Sequence, residues 1–234
     1  MKIQSKANDI SSDMIQMNPF PHLVIDDFFS QLDWENIKAE LVALETTTPD
    51  NKFESEFGLK SEWKNFGIKF EKVSSLIDHV FSQEFISKLK LAFNIPAETV
   101  LIPDRTFDGG GYVVSPPGSF LGYHADFNFS STANAYRILN VLIYANQDYS
   151  DVNGGILHLL DPISKTVEKS VPPKANTLLA FLTDDVAFHG VSRNSENFFR
   201  RSFNLYYYSN LPVSTNQSSS PHRTIWLDVE AHNH

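Results

Sequence analysis

Three features of the sequence predict a mainly β fold, an antiparallel sandwich or jelly roll with helices ahead of it. From Thr99 onward, short apolar runs alternate with turn signals, and no helical periodicity intervenes. Before that point the apolar residues recur at spacings of three and four, as one face of a helix requires. The aromatic share of 13%, with 19 Phe in 234 residues, suits a large packed core built with strands. This length fits one domain. Residues 1–98 are expected to form a strand and helices packed on a β core made by residues 99–234.

Taken in order, residues 1–18 are polar and read as a loose arm or a short helix. Phe20–Phe29 reads as a first strand entering after Pro21. Ser30 opens a Ser-x-x-Asp cap, and Trp34, Ile37, Leu41 and Leu44 follow at helical spacing. Residues 46–67 are polar with isolated aromatics at Phe53, Phe57, Trp63 and Phe66. A loop this long in a compact domain is functional or disordered, and the expected role is a lid facing substrate. Val73, Leu76, Val80 and Phe81 mark a second helix. Ser82 caps a third, with Phe85, Leu89 and Phe93 on its buried side, and Asn94-Ile95-Pro96 ends it. Nine strands are then expected between Val100 and Tyr208, punctuated by Asp108-Gly109-Gly110, Pro116-Pro117-Gly118, Asn153-Gly154-Gly155 and Pro172-Pro173. No helix follows the glycines, so they read as turns and not as phosphate loops. The tail after Leu211 is rich in Ser, Asn and Pro before a last strand at Thr224–Val229.

A net charge of −9 argues against an extended nucleic-acid surface. There are no cysteines, so disulfides and thiolate-bound metals are excluded and any metal must be held by His, Asp and Glu. The first twenty residues lack the apolar core of a signal peptide, and no run of some 18 apolar residues occurs. A cytoplasmic protein with neither membrane nor nucleic-acid partners is the expectation.

The chemistry concentrates in Phe120–Phe129. His124 and Asp126 are two apart, so in a strand both side chains share a face. His189, in Ala187-Phe188-His189-Gly190-Val191, is the candidate third corner. Two histidines and one carboxylate on one face of an octahedron, with the opposite face open, is the arrangement of non-haem Fe(II) oxygenases. Arg200 and Arg201 follow on a later strand, where an arginine can grip a carboxylate in a bidentate fork. Strand alternation points one of the two inward and the other towards solvent. Phe127 and Asn128, beside the pair, and Arg137 are candidate substrate contacts. Tyr123, Phe127 and Phe129 can build dry walls or simply be core. His158 reads as structural, and His222, His232 and His234 as solvated tail residues.

An ordered set of motifs carries a family resemblance: His124-Ala-Asp126, Arg137-Ile-Leu-Asn-Val-Leu-Ile-Tyr144-Ala-Asn146, Gly154-Gly155-Ile-Leu-His-Leu, His189-Gly-Val, and Arg200-Arg-Ser202-Phe-Asn204. Residues 108–210 thus resemble the Fe(II)- and 2-oxoglutarate-dependent dioxygenases, in their prolyl-4-hydroxylase-like branch. The resemblance implies a double-stranded β-helix, a cupin-like jelly roll, with helices on one sheet. It implies iron on His124, Asp126 and His189, with Arg200 gripping the distal carboxylate of 2-oxoglutarate. Ser202 belongs to the same Arg-x-Ser pattern, and Tyr144 and Asn204 are implied near that co-substrate. The implied activity is hydroxylation of an unactivated C–H in an amino-acid, peptide or small-molecule substrate. It consumes dioxygen, releases succinate and CO2, and draws on ascorbate as reductant. Val114 stands where some prolyl hydroxylases carry a tyrosine, which argues against a close match in co-substrate contacts. Retention of Asp126 favours hydroxylation over halogenation. A non-catalytic jelly-roll protein that keeps a metal site is the competing reading, and Arg200 speaks against it, since a structural metal needs no such cation.

Overall fold

The computed structural model describes residues 3–55, 58–214 and 216–227. After two short 3-10 turns the chain enters β1 (His22–Ile25), shorter than the expected Phe20–Phe29, and then α1 (Gln31–Leu44). Ser30 caps α1 as its sequence foretold: its Oγ accepts from the Asp33 backbone N–H and donates to the Asp33 carboxylate. Next come β2 (Asn51–Ser55), β3 (Gly58–Trp63), α2 (Glu71–Val80) and α3 (Gln83–Ala92), the last capped by Ser82. The strands β4 (Ile102–Pro103), β5 (Gly111–Ser115), β6 (Leu121–Ala125), β7 (Phe129–Ser130) and β8 (Ala135–Tyr144) follow. After them run β9 (Leu157–Leu160), β10 (Val167–Val171), β11 (Leu178–Leu182), β12 (His189–Val191), β13 (Arg200–Ser209) and β14 (Ile225–Trp226).

All strand pairs are antiparallel, and the main path runs β1-β11-β8-β13-β5-β3-β6-β12-β9-β10. Strand alternation explains how this path curls on itself. In β8, Leu139, Val141 and Ile143 pack with α1, α2 and α3, together with Phe203, Leu205 and Tyr207 of β13. The residues between them face the other way. Leu142 and Tyr144 join Leu179 and Phe181 of β11 against Leu157, Leu159 and Val191 of the β9–β12 half. Two halves of the one curled sheet face each other, therefore, with helices covering one outer face: a jelly roll of the double-stranded β-helix type. None of the described helices is long and apolar enough to cross a membrane.

Residues 46–67, expected as a loop, carry the β2–β3 hairpin instead. Every residue of β2 is exposed, so no apolar alternation betrays it. Backbone pairing with β3, which itself pairs with β5, makes it a strand. The last expected strand, Thr224–Val229, is the short β14; its residues from 228 onward lie outside the described ones.

Candidate active site

The residues His124 and His189 stand 65 apart in sequence and directly opposite one another across the β6–β12 pair. A cross-strand pair projects both side chains to one face, and Asp126 follows one residue past the end of β6. The close approach depends on Gly190: a Cβ there would lie 2.5 Å from the Tyr123 ring and 2.9 Å from the Leu121 carbonyl oxygen. Each imidazole is held from behind. His124 Nδ1 bonds the Gly122 carbonyl at 2.8 Å, and His189 Nδ1 bonds that of Ala187 at 2.9 Å. A carbonyl only accepts, so these bonds put the proton on Nδ1 and leave a lone pair on each Nε2. The two Nε2 atoms face opposite oxygens of the Asp126 carboxylate, at 3.5 Å from Oδ1 and 3.7 Å from Oδ2. The three donor atoms lie within 4.8 Å of one another. Three electron-pair donors turned on one point, with Nδ1 protons directed away, fit a cation of borderline softness such as Fe(II).

Electrostatics around the carboxylate favour its ionised form. Burial alone would push the Asp126 carboxyl up, but the Arg137 guanidinium, 3.2 Å from Oδ2, and the two histidines hold it well below the usual carboxylate range. Asn140 donates Nδ2 to the same oxygen at 2.8 Å, and its Oδ1 accepts from Arg137 Nε at 2.9 Å. Arg137 is in turn stacked 3.6 Å over the Tyr206 ring. Burial, reinforced by the charge of His124, depresses His189 from 6.5 to about 4. The unfolded chain therefore binds more protons than the folded one between those values, so stability rises with pH across that window. Asp126, depressed on the acid side, acts in the same direction. Thermal melts of the metal-free protein are expected to show a lower midpoint at pH 4.5 than at pH 7, more than surface carboxylates alone would cause; equal midpoints would contradict the buried neutral His189.

Beside this centre lies a chamber of about 350 Å³ that also contains Arg200 and Asn204. Arg200 is 4% exposed on the inner face of β13. Its Nε donates to the Gly155 carbonyl at 3.0 Å and its Nη1 to Ser202 Oγ at 3.2 Å. Ser202 passes the chain on to Asn204 Oδ1 at 2.8 Å. Gly155 has φ +66°, and a Cβ on it would meet Asn194 Oδ1 at 2.7 Å, so the turn that offers this carbonyl requires glycine. The remaining nitrogen, Nη2, is buried without a hydrogen-bond partner, and so is the Tyr144 hydroxyl, whose ring centre lies 5.1 Å from the guanidinium carbon. Two buried donors left over at one place are uncommon unless a ligand completes them.

Arg201 points outward but does not meet only solvent. It forms a two-point pair with Glu45 just past α1, at 2.7 and 2.9 Å, because helices cover that face of β13. Phe127 lines the chamber. Asn128, expected to meet substrate, does not line the chamber: it is 2% exposed, and its amide is spent on the backbone of residues 218, 220 and 222. A buried amide must satisfy both ends, and the tail supplies the partners. Arg137, which could have been a surface charge, is buried against Asp126 while still lining the chamber. His158 bonds the Tyr123 hydroxyl at 2.9 Å, in keeping with a structural part. His222 pairs with Asp185 at 2.9 Å and is no freely solvated tail residue. Asn140 and Trp226 were missed from sequence. The available signal for Asn140 was a lone amide in the otherwise apolar run Ile138–Ala145; a tryptophan in a polar tail was the weaker hint for Trp226.

Residues 110–208 match the family model described as the 2OG-Fe(II) oxygenase superfamily. Among curated proteins none matches the sequence. In solved structures, a Trichoplax adhaerens prolyl hydroxylase in complex with a hypoxia inducible factor peptide fragment superposes with a TM-score of 0.64 at 18% identity, over 87% of this chain and 90% of that one. A Pseudomonas putida prolyl-4-hydroxylase gives 0.61 at 17% identity, over 88% and 100%. A Phytophthora capsici prolyl 4-hydroxylase gives 0.57 at 20%, over 90% and 65%. At such identities the superpositions speak for the fold.

Proposed function

We propose that the chain, whose residues 110–208 match the 2OG-Fe(II) oxygenase superfamily model, hydroxylates an unactivated C–H of an amino-acid, peptide or small-molecule substrate, with His124, Asp126 and His189 as iron ligands and Arg200 as the anchor of 2-oxoglutarate. The observation that carries the reading is the pairing of two incomplete sites in one chamber. A three-donor face suited to Fe(II) lies in the same space as the buried guanidinium of Arg200, whose Nη2 lacks a hydrogen-bond partner. A site built only to hold a metal has no use for the second.

When bound, Fe(II), 2-oxoglutarate and dioxygen together supply the oxidising chemistry, with succinate and CO2 as by-products. The chain's own residues prepare the place for it. Arg137 and Asn140 keep Asp126 ionised and fix its plane, and the carbonyls of residues 122 and 187 fix the imidazoles. Arg200 presents Nη2, and Tyr144 its hydroxyl, to one end of a dicarboxylate, a charge-assisted contact in a dry pocket. Phe120, Phe127, Leu142 and Phe181 line the walls and limit water near the centre. Asn51, Phe53, Lys60 and Glu62 of the β2–β3 hairpin line the chamber too, which supports the hairpin as its substrate-facing lid. A side chain presented by a peptide and a free small molecule both suit a chamber of this size.

Anaerobic titration of the Fe(II)-loaded protein with 2-oxoglutarate tests the reading. A visible charge-transfer band that grows to saturation at one equivalent is the expected result. Iron that binds with no such band on adding 2-oxoglutarate would instead favour a metal-containing binding protein.

A further inference from the structure

The tail after β13 is stitched to the segments that present the metal-site residues. Asn128, two residues past Asp126, donates Nδ2 to the carbonyls of Ser218 and Ser220 at 2.9 and 3.1 Å and accepts from the His222 N–H at 2.8 Å. Asp185, four before His189, accepts from the Ser218 N–H and pairs with His222 Nε2, both at 2.9 Å. Gln217 Nε2 donates to the carbonyl of Arg137, the residue that braces Asp126, at 2.7 Å. Tyr136 adds a bond from its hydroxyl to the Ser219 carbonyl at 2.6 Å. The strap so held then lays β14 along β6, Ile225 opposite Ala125 and Trp226 opposite His124. The Leu227 N–H donates to the Tyr123 carbonyl at 2.8 Å.

This docking brings the Trp226 indole to 4.8 Å, centre to centre, from the His124 imidazole at a tilt of 37°, while His189 lies 4.4 Å from that same imidazole. The Nδ1 bond to the Gly122 carbonyl holds one edge of the His124 ring, and the soft terminal torsion still allows limited rotation about that hold. The aromatic neighbours restrict that rotation. Trp226 also sits between two spaces: with Asp108, Phe127 and Thr224 it lines both the chamber and an outer groove of about 560 Å³.

We propose that Trp226, delivered by this strap, is a positioning residue for the metal centre, fixing the ring plane of His124 and closing the chamber against solvent on the side of the outer groove. The inference rests on the assignment of His124, Asp126 and His189 as metal ligands. It makes residues 216–227, which lie outside the family-model match, a working wall of the site.

Co(II) added to the metal-free full chain is the probe, because its visible absorption reports binding independently of tryptophan. Two further readouts follow: quenching of indole emission by the bound ion, and the rate of Co(II) release into excess EDTA well below the melting temperature. Trp226→Phe is expected to lose most of the metal-dependent quenching, leaving only what Trp34 and Trp63 contribute, while release stays close to wild type. Trp226→Ala is expected to release Co(II) about 10-fold faster, the size typical of losing a group that orients a metal ligand. Asn128→Ala, which removes only an anchor of the strap, is expected to speed release in the same direction and to weaken quenching; its effect does not depend on Trp226→Ala folding well. Co(II) that binds with unchanged release in both alanine variants, or quenching that survives in Trp226→Phe, would overturn this inference and leave the metal assignment standing. No Co(II) absorption in the wild type would overturn both.

Discussion

Asp126→Ala is expected to abolish stoichiometric Fe(II) binding and, with it, turnover of 2-oxoglutarate to succinate. Two neutral imidazoles remain, but the only anion of the set is gone, and with it the partial neutralisation of the metal charge. The same substitution is expected to lower stability even without metal. Arg137 would stay buried over Tyr206 with its guanidinium unpaired, and breaking a buried ion pair from one side costs about 3–5 kcal/mol. Asp126→Asn, which keeps the shape and loses the charge, should share most of that penalty. The double variant Asp126→Ala/Arg137→Ala should recover part of it, because no charge is then left stranded. Metal content after gel filtration and thermal melts of the four proteins check the expectation. An Asp126→Ala protein that still binds one equivalent of iron would remove Asp126 from the ligand set.

Arg200→Ala is expected to raise the Kd for 2-oxoglutarate on the order of 10²-fold or more, since truncating one partner of a buried charged pair costs about 2–5 kcal/mol. Fe(II) binding should be unchanged, because Arg200 holds Gly155 and Ser202 and makes no contact with the histidines or Asp126. Arg200→Lys retains the charge without the planar fork and should fall between. Tyr144→Phe removes one neutral donor and should cost about 1 kcal/mol. The charge-transfer band under anaerobic titration reads all three. Wild-type affinity in Arg200→Ala would move the co-substrate elsewhere in the chamber and leave the unpartnered Nη2 without its ligand.

The parts of this protein legible from residues alone share one physical basis: they are local. A serine hydroxyl that accepts the backbone N–H three residues on caps a helix within one turn, so α1 and α3 were readable at Ser30 and Ser82. A period of two puts His124 and Asp126 on one face without reference to any partner strand. The motif order supplied His189 and Arg200, and the structure then brought each to the chamber. The strands β2 and β3 were not legible, because their strand character comes from pairing with each other and, for β3, with β5, not from their own pattern. Neither was the work of Asn128, whose amide is spent on backbone some ninety residues later in the chain.

By itself, then, the sequence determined the helix caps, the strand periodicity and the shared face of His124 and Asp126, all set within a few residues by sterics and side-chain chemistry. Only the tertiary structure decided that Arg137 and Asn140 brace Asp126, that Arg200, with its unpartnered Nη2, lines the same chamber, and that Trp226 closes over His124. Those are contacts between distant segments, and a buried polar group takes its partner from whatever chain the fold packs beside it.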